Sequence, residues 1–302
     1  MPLHGIMNKV RTNPSIQDIL RNHGKQLEQA LNLDPTCARI EVQCLLQAVL
    51  LVDRAHLLAH PEQPLGNEQQ LQFDELFERR LSGEPIAYLI GEREFFGLTF
   101  KVTSDTLIPR PETELLVELA LQRVPQQGKF RMLDLGTGCG AIALSIAHAR
   151  PDAEVVAVET STAALEVARY NARCLDLRNV RLLLGDWFEA LQEECFDLIV
   201  ANPPYIAAGD THLTRGDVRF EPPIALSSGA DGLEAINRIT AQAGKHLDVD
   251  GWLLLEHGYD QASRVRALLH QTGFDRIFSA RDLAGTERVS GGARSASTKT
   301  AG

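Results

Sequence analysis

No apolar stretch of this 302-residue chain approaches the ~18 residues needed to cross a bilayer. The longest candidate, residues 44–52, is interrupted by Gln47 and ends at Asp53-Arg54. Residues 1–14 lack an apolar central segment, so no signal peptide is expected. Cysteine is sparse: Cys37, Cys44, Cys139, Cys174 and Cys195 are odd in number and scattered, with no CxxC pair. That argues against a disulfide framework and against a zinc site. Of the nine histidines only His56 and His60 stand four apart, and no cysteine pair accompanies them, so no metal is expected. A reducing cytoplasm is the expected compartment, with no membrane contact. A basic surplus is missing too. The 30 Lys and Arg stand against 40 Asp and Glu, a net charge of −10. This weighs against a dedicated duplex-binding protein, and no direct nucleic-acid contact is expected. It does not exclude a basic protein partner. Internal repeats and a low-complexity core are likewise absent.

What is present is a globular composition, 44% hydrophobic and 23% charged, in a chain able to bury about three quarters of its unfolded surface. Up to about Leu81 the apolar spacing is helical: Ile16, Ile19, Leu20, Leu27 and Leu31, then Ile40, Cys44, Leu45 and Val49, then Leu71, Phe73, Leu76 and Phe77. Pro14, Pro35, Pro61 and Pro64 punctuate it, and Asp34-Pro35 has the form of a helix start. Residues 1–84 therefore read as a small helical domain. Residues 86–90 and 98–102 are strand-like runs flanking Gly91 and Gly97, which predicts a hairpin linker over 85–110. The segment Leu107-Ile108-Pro109-Arg110-Pro111-Glu112-Thr113-Glu114 leads into a helix starting near Glu112, with Glu112 and Glu114 favouring its N-terminus electrostatically.

From Lys129 onward, strands at 130–135, 154–158, 180–184, 196–200, 252–255 and 276–280 alternate with helices at 141–148, 162–174, 233–246 and 261–271. The fold class is α/β, and the alternation predicts a parallel, doubly wound sheet over 111–290. Residues 291–302, rich in Ser, Thr and Ala, read as a disordered tail.

Two turns carry the chemistry. Gly136-Thr137-Gly138-Cys139-Gly140 follows the first strand, where glycine permits a tight turn and close backbone approach to a ligand. Glu159 ends the second strand at the distance expected of a group that binds ribose hydroxyls. The spacing G-x-G-x-G, with no following Lys-Ser/Thr, disfavours a dinucleotide site and a P-loop; S-adenosylmethionine suits it best. Asp186 and Trp187 close the third strand, where Trp187 could cover an adenine and Asp186 accept from its amine. Ordinary packing of Trp187 in the core and a helix-capping role for Glu159 are the plainer alternatives.

Asn202-Pro203-Pro204-Tyr205 follows the strand at 196–200. Two prolines lock two φ angles and remove two N–H donors, and Asn202 is pushed out of helical geometry. The result is a stiff strand-ending turn whose carbonyls can accept from a planar NH2 while Tyr205 lies on its face. It suits an amide or a nucleobase.

With the glycine turn, this tetrapeptide resembles Rossmann-like class I methyltransferases acting on a planar nitrogen. Gly83-Glu-Pro-Ile-Ala-Tyr-Leu-Ile-Gly, Glu94-Phe-Phe-Gly and the Leu107–Glu114 segment are similar to the HemK/PrmC family of protein-(glutamine-N5) methyltransferases. So are Gly216-Asp-Val-Arg-Phe-Glu-Pro and Leu253-Leu-Leu-Glu-His-Gly, which match PrmC more than PrmB, the sister family acting on a ribosomal protein. The resemblance runs from about Asp34 to about Val289. It implies a helical N-terminal domain, a hairpin linker and a seven-stranded methyltransferase domain. It also implies, as substrate, the glutamine of the Gly-Gly-Gln tripeptide in class 1 peptide-chain release factors. Gly136 to Gly140, Glu159, Trp187 and Asn202 would contact S-adenosylmethionine; Asn202 to Tyr205 would hold the glutamine, with Asn202, Pro203 and Tyr205 as the catalytic set. Cys139 stands where many relatives carry a second Thr, Glu159 where Asp is common, and the last strand, Glu287-Arg-Val-Ser-Gly-Gly, expected at an edge, is glycine-rich where relatives continue with apolar residues. A nucleic-acid adenine amino-methyltransferase would use the same tetrapeptide on a flipped base. It would also need a basic channel, which this acidic composition does not suggest. A cofactor-binding module without turnover is the remaining alternative.

Overall fold

The computed structural model describes residues 13–294 and divides between Ile90 and Gly91 into two compact units. The first is helical: α1 (Ile16–Leu31), α2 (Pro35–Leu50), α3 (Arg54–Ala59), α4 (Asn67–Leu81) and α5 (Ile86–Ile90). Each of the first three starts on a side chain that takes a free backbone donor: Ser15 from Asp18 N, Asp34 from Thr36 N and Cys37 N, Asp53 from His56 N. Ile16, Ile19, Leu20, Leu27, Leu45, Phe73 and Phe77 form its core with Val42 and Leu46. Ile40 and Leu71 are exposed, because the buried stripe of α2 runs instead through Ala38, Val42, Leu45 and Leu46.

Residues 86–90 are helical, not the expected strand. Pro85 accepts from both Tyr88 N and Leu89 N, closing a first turn that buries Ala87 and Leu89. A five-residue apolar run has no period of its own, and the proline before it tips the choice. The hairpin does form, one step later and as part of the second unit. It comprises β1 (Glu92–Phe95) and β2 (Leu98–Lys101), closed by Phe96 and Gly97, both at positive φ.

Beyond the hairpin come α6 (Glu114–Leu121), β3 (Phe130–Leu135), α7 (Ala141–Ala149), β4 (Ala153–Glu159), α8 (Thr162–Cys174), β5 (Val180–Leu184) and β6 (Phe196–Ala201). A long loop with three short 3₁₀ turns precedes α9 (Glu234–Ala243), β7 (Leu247–Glu256), α10 (Ala262–Gln271), β8 (Phe274–Arg281) and β9 (Glu287–Arg294). The seven strands order as β5-β4-β3-β6-β7-β9-β8, with Val156, Ile199, Leu253 and their neighbours fully buried under the helices.

The sheet is mixed. Strands β5 through β7 are parallel as expected, but β9 pairs antiparallel with both β7 and β8. The expected tail at 291 is also corrected, since residues 291–294 are the second half of β9; residues 295–302 lie outside those described. A Cβ on Gly291 would stand 2.6 Å from Leu254 Cδ2 and 2.7 Å from Leu253 O. The bare backbone that reads as a tail is what lets β9 fit between its neighbours. The order reverses between β3 and β6, the place where an open α/β sheet leaves a crevice at its carboxyl edge.

Candidate active site

The glycine turn leaves β3 with Gly136, Gly138 and Gly140 all at positive φ. Gly136 N and Thr137 N both donate to Val158 O of β4, at 2.9 and 3.0 Å. Beneath the turn Asp134 is fully buried and accepts from Thr137 Oγ1 at 2.7 Å, while its Oδ1 has no partner. Burial pushes its carboxyl up to about 7, and the neighbouring Glu159 adds to the effect. Asn171 of α8 ties the far end of the turn, donating to Cys139 O at 2.8 Å and to Lys101 O at 3.0 Å. Cys139 is buried, and its thiol is raised to about 12 by that burial, so it is inert and protonated.

Glu159 closes β4 with each carboxylate oxygen on a backbone donor. Gly138 N lies 2.9 Å from Oε2 and Ser161 N 2.8 Å from Oε1. It therefore joins the glycine turn to the start of α8, and each oxygen keeps a further lone pair for a hydroxyl. Trp187, at φ 52°, lies over Gly136, where a Cβ would meet its ring at 3.4 Å. Its indole also packs on the core, as the plainer reading expects. Asp186 is not a free acceptor: Arg238 of α9 donates to its Oδ2 at 2.6 Å.

Asn202 leaves β6 level with the glycine turn, since Leu135 and Ala201 are partners in register. The loop after it doubles back. Ile206 N donates to Leu226 O at 2.9 Å, and Ser228 N to Ile206 O at 2.9 Å. Gln261 Nε2 holds Tyr205 O at 3.0 Å, and Gly232, at φ 75°, leaves room for that carbonyl. Arg110 pairs with the buried Glu221, whose other oxygen accepts from Ile108 N at 3.0 Å. This pair pins the Leu107–Glu114 segment to the loop. Glu114 in turn accepts from Phe96 N at 2.9 Å.

These walls enclose a cavity of ≈ 350 Å³. Gly136, Gly138, Glu159, Trp187, Asn202 and Pro204 line it, with Asp105 to Leu107 on one rim and Ile224, Ser228 and Arg238 on another. Of the residues singled out from sequence, Thr137, Cys139, Gly140, Pro203 and Tyr205 are not among its lining. Thr137 and Cys139 support the turn from behind, and Pro203 is buried. Tyr205 is shifted well up by burial and by the nearby Glu256 charge, so its phenol stays neutral. His257 is fully buried between Gly258 O and Ser290 Oγ, at 2.9 and 2.8 Å, which is a structural role. Arg238 had no sequence signal, and Thr113 and Glu256, though they lie in the resembling segments 107–114 and 253–258, carried no site role of their own. Each meets the site only through the fold, as Thr113 Oγ1 does in taking Asn202 Nδ2 at 3.2 Å. Among the described residues no cluster of His, Cys, Asp and Glu is placed to hold a metal ion, and no helix is long and apolar enough to cross a membrane.

A carbonyl-rich acceptor turn and a glycine turn opening on one cavity, at the switch point of this sheet, is the arrangement of a Rossmann-like, S-adenosylmethionine-dependent methyltransferase. Comparison with known proteins agrees. Residues 112–221 match the Methyltransferase small domain, and residues 18–91 the PrmC N-terminal domain. A release factor glutamine methyltransferase of Bordetella pertussis is 52% identical over 260 residues, covering 86% of this chain and 96% of that protein. One of Xylella fastidiosa is 50% identical over 254 residues, covering 84% and 92%. The crystal structure of a methyltransferase from Pyrococcus furiosus shares the fold, with TM-score 0.51 and 21% identity over 72% of this chain and 97% of that one. The chain belongs to the release factor glutamine methyltransferase family.

Proposed function

We propose that this protein methylates the side-chain amide nitrogen of a glutamine in peptide-chain release factors, within the cytoplasm. The observation that carries the reading is Asn202-Pro203-Pro204-Tyr205 at the end of β6, opening on the same cavity as Gly136, Gly138 and Glu159. The names of its relatives supply the release factor, and the Gly-Gly-Gln glutamine follows from the family resemblance. The residues present fit S-adenosylmethionine. Gly138 has open space where a Cβ would stand, Glu159 offers acceptors to hydroxyls, and Trp187 presents an indole beside Gly136. Gly136 to Gly140, Glu159, Trp187 and Asn202 are the proposed cofactor set. When bound, the cofactor supplies an electrophilic methyl on a sulfonium.

The protein's own task is then placement. An amide nitrogen is a poor nucleophile because its lone pair is delocalised, so orientation and electrostatic support make up most of the catalysis. Asn202 Oδ1 and the Pro203 carbonyl each take one amide N–H, aiming the nitrogen and stabilising the positive charge that develops on it. Tyr205, which does not line the cavity, takes its stacking role from the family resemblance, and Pro204, which does, keeps the turn stiff. No residue need act as a committed base, because the product cation loses its proton to water.

Radiolabelled cofactor offered with release factor, ribosomal protein, DNA and RNA in parallel tests the substrate class. Label is expected on the release factor alone; label on a nucleic acid would put the adenine reading in its place.

A further inference from the structure

The Asn202 carboxamide presents two nearly isosteric ends, and only its oxygen can accept from a substrate amide. Which end faces the cavity is decided by what holds the other. Asn202 Nδ2 donates to Thr113 Oγ1 at 3.2 Å. A hydroxyl alone does not fix the choice, because it could rotate and donate to Oδ1 instead. An ionised carboxylate only accepts, and Glu256 brings one to this spot. It ends β7, whose Leu255 is the register partner of Ala201, so Glu256 and Asn202 leave neighbouring strands at the same level. It is 2% exposed, and its Oε2 has no hydrogen-bond partner. A buried carboxylate left partly unpartnered costs stability, so packing gives no reason for it.

We infer that Glu256 is a positioning residue: acting with Thr113, it locks the Asn202 carboxamide with nitrogen inward and oxygen toward the substrate. This rests on the reading of Asn202 given above. With the carboxylate taking the Thr113 hydroxyl proton, the hydroxyl lone pair must accept from Asn202 Nδ2. A carboxylate beside the Asn202–Thr113 bond would also polarise the carboxamide and strengthen its oxygen as an acceptor. Burial raises the Glu256 carboxyl to about 7; hydrogen bonds from Thr113 and Asn202 and the charge of Arg288 on β9 oppose this, and Glu112 reinforces it. Tyr205, also facing it, is neutral. Below about 7 the carboxyl gains a proton and becomes a donor, and the lock is lost.

The test measures kcat, KM for release factor and cofactor Kd in wild type, Glu256→Gln, Thr113→Val and Thr113→Ser. At about pH 8, kcat is expected to fall about tenfold or more in Glu256→Gln and Thr113→Val, with KM and Kd within about twofold of wild type. Thr113→Ser should recover most of the rate. The wild-type kcat should drop as pH falls through about 7, and Glu256→Gln should lack that limb. A wild-type kcat in Thr113→Val, or an unchanged acid limb in Glu256→Gln, overturns the inference. The Asn202 side-chain amide resonances of the cofactor-bound enzyme, followed against pH without substrate, decide it independently. A titration near 7 that Glu256→Gln abolishes supports the lock, and no titration in wild type refutes it. Failure of wild type to methylate release factor would instead strike the substrate reading.

Discussion

Glu159 holds two elements at once, which makes its replacement by glutamine informative. Its oxygens accept from Gly138 N at 2.9 Å and Ser161 N at 2.8 Å, one in the glycine turn and one at the cap of α8. A glutamine side chain in its place would keep one acceptor and set an NH2 group against the other N–H. A bond to a charged acceptor contributes about 1.5–3 kcal/mol, so one such bond is lost and a donor is left unpaired. Taken at about 2 kcal/mol on the cofactor-ready turn, that is about a 30-fold weaker Kd. Glu159→Asp keeps the charge but shortens the reach by one methylene, and an intermediate value is expected. Isothermal titration with S-adenosylmethionine, alongside thermal unfolding, reads both effects. A Glu159→Gln protein of native Tm that binds cofactor within about threefold of wild type would refute the assignment.

Three other outcomes follow from the same geometry. Asn202→Ala should lower the methylation rate by about 10²-fold with far less effect on cofactor affinity, by single-turnover kinetics and titration; an unchanged rate in a folded protein sinks its role. In Gly232→Ala the new Cβ would sit 2.2 Å from Tyr205 O and 2.7 Å from Gln261 Nε2, at φ 75°. Beyond the left-handed cost of about 1–2 kcal/mol, the Tyr205 backbone must move, so Tm and transfer should both fall. Gly209→Ala, at φ 90° with open space around it, should carry the conformational cost alone. Asp134 is raised by burial to about 7, so the folded state keeps a proton that the unfolded chain releases near its ordinary 3.8. The native protein thus loses stability as pH rises across that window, and Asp134→Asn escapes the loss. Its Tm deficit relative to wild type should shrink from about pH 5 to about pH 8; a constant or widening gap contradicts the assignment.

Much of this was legible in the chain. The capped helices, the strands from 130 to 200, and the two turns at Gly136 and Asn202 announce themselves through local pattern and local sterics. What stayed hidden depends on distant partners. The strand at Glu287 is legible but not its place: it is expected at an edge and lies between β7 and β8, its direction set by pairing and its glycines by the side chains they make room for. Residues 86–90 carry no period that separates helix from strand. Asp186 reads as a free carboxylate until Arg238 of α9 arrives. Thr113 and Asn202 are 89 positions apart, and Glu256 at a strand end has no signature of its own.

The central claim is that the Asn202 turn presents one glutamine amide to the methyl donor. Tandem mass spectrometry of release factor, incubated with enzyme and S-adenosylmethionine, tests it most directly. The account predicts a single added methyl, on the side-chain nitrogen of the glutamine in the Gly-Gly-Gln peptide, and none with Asn202→Ala. A methyl on any other residue, or an unmodified glutamine after exhaustive incubation with folded, cofactor-binding enzyme, would contradict it.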